Sequence, residues 1–115
     1  MAAARRAALI TGAGRNIGRA CALGLAEDGF DVALNGSSDR AACEKVAAEA
    51  AKLGARTLVV MGDVGLPEDC KRVAGAAIAQ FGAVDVLINN AGLRPGKPFL
   101  DASEDEWRRV MSVDL

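Results

Sequence analysis

One hundred and fifteen residues set the scale of one domain, long enough to withdraw roughly two-thirds of its unfolded surface from water. Hydrophobic residues make up 51% and charged residues 25%, with 14 basic against 15 acidic side chains, so there is no footprint for nucleic acid and no electrostatic hold on a membrane. With no histidine and three scattered cysteines (Cys21, Cys43, Cys70), the chain offers almost nothing from which to assemble a zinc or haem site.

Ala7–Thr11 (AALIT) reads as a short buried strand that runs straight into a glycine-rich turn. It is too short for a secretion signal or a membrane span, and the expected address is cytoplasmic. Asn16–Asp28 then reads as a helix with Ile17, Cys21 and Leu25 on its apolar face, stopped by Gly29. Asp31–Asn35 is a second strand. Ala41–Leu53 is helical by propensity, with Ala42, Val46 and Leu53 near one stripe and Gly54 as its stop. Arg56–Met61 is a β-branched and aliphatic third strand.

Pro67 suits the first turn of a third helix, where Glu68 and Asp69 favour the positive end of the dipole. Its apolar stripe is Cys70, Val73, Ala74, Ala77, Ile78 and Phe81, and Gly82 ends it. Val84–Asn89 is a fourth strand, followed by a loop from Ala91 to about Pro98. Ser103 with Glu106 forms a capping box for a fourth helix that buries Trp107 and Val110. All three cysteines fall in Ala-rich helical patterns, which predicts buried free thiols in a reducing compartment.

The order βαβαβαβα with near-continuous apolar strands specifies an α/β fold. It is a doubly wound parallel sheet of Rossmann type, with strands one to four and their flanking helices. In that order the fourth strand awaits a fifth beside it, and Val86, Leu87 and Ile88 form an apolar open edge able to template pairing with another chain.

The turn Thr11-Gly12-Ala13-Gly14-Arg15-Asn16-Ile17-Gly18 lies between a strand and a helix. There, backbone N–H groups and the helix dipole attract a phosphate. Gly12 permits the sharp bend and Gly18 close packing of helix on strand. Asn16 occupies the slot where glycine is usual, and asparagine accepts left-handed backbone better than other side chains do.

At this point the chain resembles the short-chain dehydrogenase/reductase family, particularly its 3-oxoacyl-carrier-protein reductase-like members, over residues 7 to 115. TGAGRNIG at 11–18 is similar to the family's cofactor turn. Asp63-Val64 follows the third strand, where the family places an adenine-binding aspartate. Asn89-Asn90-Ala91-Gly92 resembles its NNAG motif, and Glu106-Trp107 through Val113-Asp114-Leu115 resembles the helix leading to its V-N-L segment.

The resemblance implies an NAD(P)-binding site formed by Gly12, Ala13, Gly14, Arg15, Asn16, Ile17, Gly18, Ser37, Asp63, Val64, Asn90, Ala91 and Gly92, with Asn89 in a structural role. It implies a carbonyl or alcohol substrate in the full-length protein, and a homo-oligomer. An NAD site wants a carboxylate at the tip of the second strand to accept from the ribose 2′-hydroxyl. The matching position is Gly36, followed by Ser37 and Ser38, while Arg15 stands ready for a 2′-phosphate. NADP is therefore the preferred cofactor and NAD the second choice. Asp39 is the competing acid, although it reads as a helix-start residue.

The family transfers hydride with a serine and a Y-x-x-x-K pair, assisted by an asparagine. The chain contains no tyrosine, and the segment carrying those residues is expected beyond Leu115. The asparagine position falls on Asp114, the catalytic candidate in these residues, where an aspartate departs from the pattern and adds negative charge beside a proton relay. The 115 residues are thus expected to bind cofactor at most, the alternatives being a non-catalytic nucleotide-binding or interaction module and a non-functional fragment.

Overall fold

The structure, a computed structural model, describes residues 5–91 together with 104, 105 and 108. Four strands, β1 (Ala7–Ile10), β2 (Asp31–Gly36), β3 (Thr57–Met61) and β4 (Val86–Ile88), alternate with the helices α1 (Asn16–Glu27), α2 (Arg40–Lys52) and α3 (Pro67–Phe81). The sheet is parallel, in the order β3-β2-β1-β4. β1 is central, so all four of its residues are buried. The expected doubly wound α/β fold is what the chain forms.

Strand alternation decides which helix each residue meets. Ala8, Ile10, Val32 and Leu34 project to one face, where Ala22, Ala26, Val46 and Ala50 of α1 and α2 cover them. Leu9, Ala33 and Val60 project to the other and meet Val73 and Ala77 of α3. Ile10, Leu34, Val32 and Val46 are among the largest fully buried side chains, each contributing roughly 1.5–3 kcal/mol by leaving water.

The helix stripes differ from the sequence expectation. α1 buries Gly18, Ala22 and Ala26, while Ile17 is 67% exposed and Cys21 and Leu25 are half-buried. Hydrophobicity ranks Ile17 above Gly18, but a helix lying close to the sheet selects its smallest residues for the contact. α2 likewise buries Cys43, Val46 and Ala50, leaving Leu53 exposed. On α3, Val73 and Ala77 are buried, whereas Cys70 and Ile78 face solvent. The expectation of three buried thiols holds only for Cys43; Cys21 is half-buried and Cys70 exposed.

Two carboxylates tie the lower end of the sheet. Asp31, 0% exposed, accepts from Arg5 Nε at 2.7 Å, from the Arg56 backbone N–H at 2.9 Å and from Arg56 Nε at 2.9 Å. Burial alone would raise its pKa. The Arg56 backbone bond and the two guanidinium groups outweigh that, and its carboxyl sits below the ordinary aspartate value. Asp85 Oδ2 accepts from the Ala7 N–H at 2.8 Å, fastening the approach to β4 onto β1.

β4 spans three residues, shorter than the expected Val84–Asn89, and closes one end of the strand order. Leu87 shares the α3 face with its register partner Leu9 and is 55% exposed. Of the expected fourth helix, Glu104, Asp105 and Arg108 are described and helical, with Arg108 paired to Glu104 at 2.5 Å. The Ser103–Glu106 capping box, Trp107, Val110 and the loop beyond Ala91 lie outside the described residues.

Candidate functional site

All four strands end on the same rim, and at β1 the connections diverge, to β2 on one side and β4 on the other. Such a switch point leaves a crevice at the carboxyl ends of the strands. The turn out of β1 forms its floor. Gly12 has φ +62° and Asn16 φ +52°, so the asparagine adopts the left-handed conformation expected of that slot. A Cβ on Gly18 would stand 2.1 Å from the Gly12 carbonyl oxygen and 2.8 Å from Asn90 Nδ2. Only glycine fits where α1 meets the turn.

Thr11 joins this turn to β4. Its hydroxyl oxygen accepts from the Asn90 N–H at 2.9 Å and the Ala91 N–H at 3.0 Å, and the hydroxyl leans toward the Ile88 carbonyl at 3.4 Å. Asn90 Nδ2 donates to the Gly12 carbonyl at 3.1 Å. On the other side, the Ala13 N–H donates to the Asn35 carbonyl at 2.9 Å. The buried Asn35 amide donates to the Val60 and Gly62 carbonyls at 3.0 and 3.2 Å, bridging β2 to the end of β3.

The helix ends around the crevice differ electrostatically. α2 is capped by Asp39, whose Oδ1 accepts from the Ala42 N–H at 3.0 Å. α3 carries Glu68 and Asp69 in its first turn. α1 has no acidic residue there and no side-chain cap from Arg15, so its bared amides and positive dipole end face the crevice without an anionic partner from these positions.

The crevice has a volume of about 500 Å³, in the range of small-molecule sites. Gly12, Gly14, Arg15, Asn16, Ile17 and Ser37 line its near side. Asp63, Val64, Asn90 and Ala91 also border it. Ala13 and Gly18 lie behind this surface, both buried. Asn89 is exposed, and Gly92 and Asp114 lie outside the described residues. Asp63 Oδ1 accepts from the Gly65 N–H at 2.9 Å, so the carboxylate shapes a turn as well as bordering the crevice.

The sequence reading missed Asn35 and Cys43, which also line the space. An amide ending the apolar run DVALN was the available signal for Asn35. Cys43, 1% exposed, packs its sulfur 2.7 Å from where a Gly36 Cβ would stand. Burial, followed by the nearby Asp39 charge, pushes the Cys43 thiol pKa up, against a smaller opposing effect of Arg40. A thiol reagent on the folded protein is expected to label exposed Cys70 readily and Cys43 only upon unfolding. Equal native labelling rates at the two would contradict this packing.

No group of three His, Cys, Asp or Glu side chains among the described residues is arranged to hold a metal ion. No described helix is long and apolar enough to cross a membrane.

A strand-to-helix turn with bared amides, at the switch point of a parallel sheet, defines an α/β protein of Rossmann type. The sequence profile described as short chain dehydrogenase matches residues 6–115, and the chain belongs to that family. It is 39% identical over 112 residues to the 3-oxoacyl-[acyl-carrier-protein] reductase FabG of Staphylococcus epidermidis, covering 96% of this chain and 45% of the relative. It is 40% identical over 107 residues to the L-rhamnose 1-dehydrogenase (NAD(P)(+)) of a Sphingomonas species, covering 93% of this chain and 42% of that protein. The crystal structure of acetoin dehydrogenase YohF from Salmonella typhimurium superposes with a TM-score of 0.88 at 36% identity, over 96% of this chain and 44% of the other. The chain thus spans less than half the length of these relatives.

Proposed function

We propose that the chain is the dinucleotide-binding part of an NADP-preferring short-chain dehydrogenase that interconverts a carbonyl and an alcohol in a small molecule. The observation that carries this reading is the open amino end of α1, which faces a crevice of dinucleotide scale while neighbouring helices carry acidic residues at theirs. The relatives' names point to a 3-oxoacyl group, L-rhamnose and acetoin, different substrates united by carbonyl–alcohol exchange. A homo-oligomer is part of the same proposal, by resemblance.

The residues present fit the group. Gly12, Gly14, Asn16 and Ile17 would hold the pyrophosphate against the bared amides, where the helix dipole favours negative charge. Asp63 and Val64 would border the adenine, and Asn90 and Ala91 the opposite end. Arg15 and Ser37 would take a 2′-phosphate, because a guanidinium matches that group's geometry and charge. When bound, the nicotinamide supplies or accepts the hydride. The protein's part in these residues is to fix the dinucleotide's pose, and with no tyrosine they lack the family's proton donor.

Titration of the purified chain with each cofactor is expected to show saturable binding, tighter for NADPH than NADH, with no carbonyl-dependent NADPH consumption. Arg15→Ala is expected to weaken NADPH about tenfold, the scale of one charge-assisted phosphate contact, and NADH by less than half that factor. Equal or tighter NADH binding, or an unchanged NADPH affinity in the variant, would remove the NADP preference.

A further inference from the structure

Arg15 is not alone at the rim. It stands at the amino end of α1, with its guanidinium Nη2 3.6 Å from Asp39 Oδ2 at the amino end of α2. The pair sits where the glycine turn abuts α2, since a Cβ on Gly14 would lie 3.1 Å from the Ala42 Cβ. Both residues line the crevice beside Ser37 and Ser38. The two oxygens of Asp39 have separate tasks: Oδ1 caps α2 through the Ala42 N–H at 3.0 Å, and Oδ2 faces Arg15. The next cation along, Arg40, is held by Glu44 at 2.9 Å, so it does not take Arg15's place beside Asp39 in this arrangement.

We propose that Asp39 is a specificity-determining residue, one that acts by partly neutralising Arg15 and thereby sets how strongly the crevice prefers a phosphorylated over an unphosphorylated adenosine ribose. This rests on the nucleotide reading given above. A guanidinium with a carboxylate at 3.6 Å presents a reduced net charge to an incoming 2′-phosphate, which must compete with Asp39 for it. An unphosphorylated ribose meets no such competition and leaves the ion pair intact. The pair therefore compresses the difference between the two cofactors, and a free Arg15 would widen it. Both side chains are well exposed, 72% and 51%, so water screens the pair and its influence is modest, a few-fold in affinity.

The cap allows a clean test, because asparagine and serine both cap helices without carrying charge. In Asp39→Asn and Asp39→Ser, with melting temperature and circular dichroism confirming an intact fold, the NADPH-to-NADH affinity ratio is expected to rise about three- to fivefold, and less at high salt. In the Arg15→Ala background, Asp39→Asn is expected to change the ratio less than twofold. A ratio that stays constant or falls in both charge-free variants overturns the proposal. A rise of the same size with Arg15 absent also overturns it, because Asp39 would then act directly on the ligand. Failure of the parent sequence to bind either cofactor is a separate result, seen before any substitution, and would remove the nucleotide reading along with this one.

Discussion

Replacing Asp31 with alanine is expected to lower the stability of the purified chain by about 2–3 kcal/mol, the largest loss from any single polar side chain described above. The side chain is fully buried and accepts from Arg5 Nε, Arg56 Nε and the Arg56 backbone N–H. Alanine removes all three contacts and leaves a backbone donor unmatched between β2 and β3. Arg5 and Arg56 remain partly exposed and recover water, which keeps the loss below that of a wholly buried broken ion pair. The thermal midpoint should fall by about 10–20 °C for a domain of this size. Arg5→Ala and Arg56→Ala each leave Asp31 with partners and should cost less.

The same group predicts an acid response. Its folded pKa lies below the ordinary value, so its contribution is complete above about pH 4 and is lost as pH falls through the lowered folded value. Asp31→Asn should flatten that part of the stability profile. Denaturant titrations at several pH values would check both statements. A loss under about 0.5 kcal/mol at neutral pH, within the range of ordinary surface substitutions, would show the cluster to be incidental.

The second large effect concerns binding. Gly18→Ala is expected to weaken NADPH about 5- to 150-fold, the equivalent of the roughly 1–3 kcal/mol that overpacking costs. The added methyl would stand 2.1 Å from a backbone oxygen of the turn, so relief requires α1 to shift away from Gly12. That shift moves the bared amides that face the crevice. Gly24→Ala on the same helix is the control, because nothing lies within 4 Å of its Cβ position; it should bind normally and gain roughly 0.5–1 kcal/mol from helix propensity. Normal cofactor affinity in a folded Gly18→Ala protein would mean that the turn does not hold the dinucleotide.

Much of the architecture was legible because each strand ends in a punctuated turn and each helix begins and ends with recognisable residues. Gly29, Gly54 and Gly82 all adopt positive φ beyond helix ends, as a C-terminal stop requires. Asp39 was readable as a helix start and does cap α2. The buried stripes were misread position by position. Ile17 is apolar but large, and close helix–sheet approach at Gly18, Ala22 and Ala26 excludes it. Leu53 lies just past the end of α2, and Ile78 stands beside the buried Ala77 on the solvent side of α3. Periodicity reports which face is oily, not how near the sheet lies.

At the crevice, the turn after the first strand was legible from its own pattern, Ser37, Asp63 and Asn90 were reached only through the family resemblance, and residues marked by neither were missed. Thr11 to Ile17 announced themselves as one segment. Asn35 and Cys43 reach the same space from β2 and α2, and their roles depend on the Val60 and Gly62 carbonyls and on Gly36. No local pattern encodes those meetings. The Arg15–Asp39 pair spans 24 positions for the same reason.

Position 11 shows how little room mutational drift has at the mouth of this fold. One oxygen receives two main-chain donors arriving from 79 and 80 residues away. Valine would copy the outline of threonine yet abandon both donors, while serine would retain the oxygen and forgo only a methyl. A side chain without a hydroxyl at that position leaves the seam between the first and fourth strands to be held by other means.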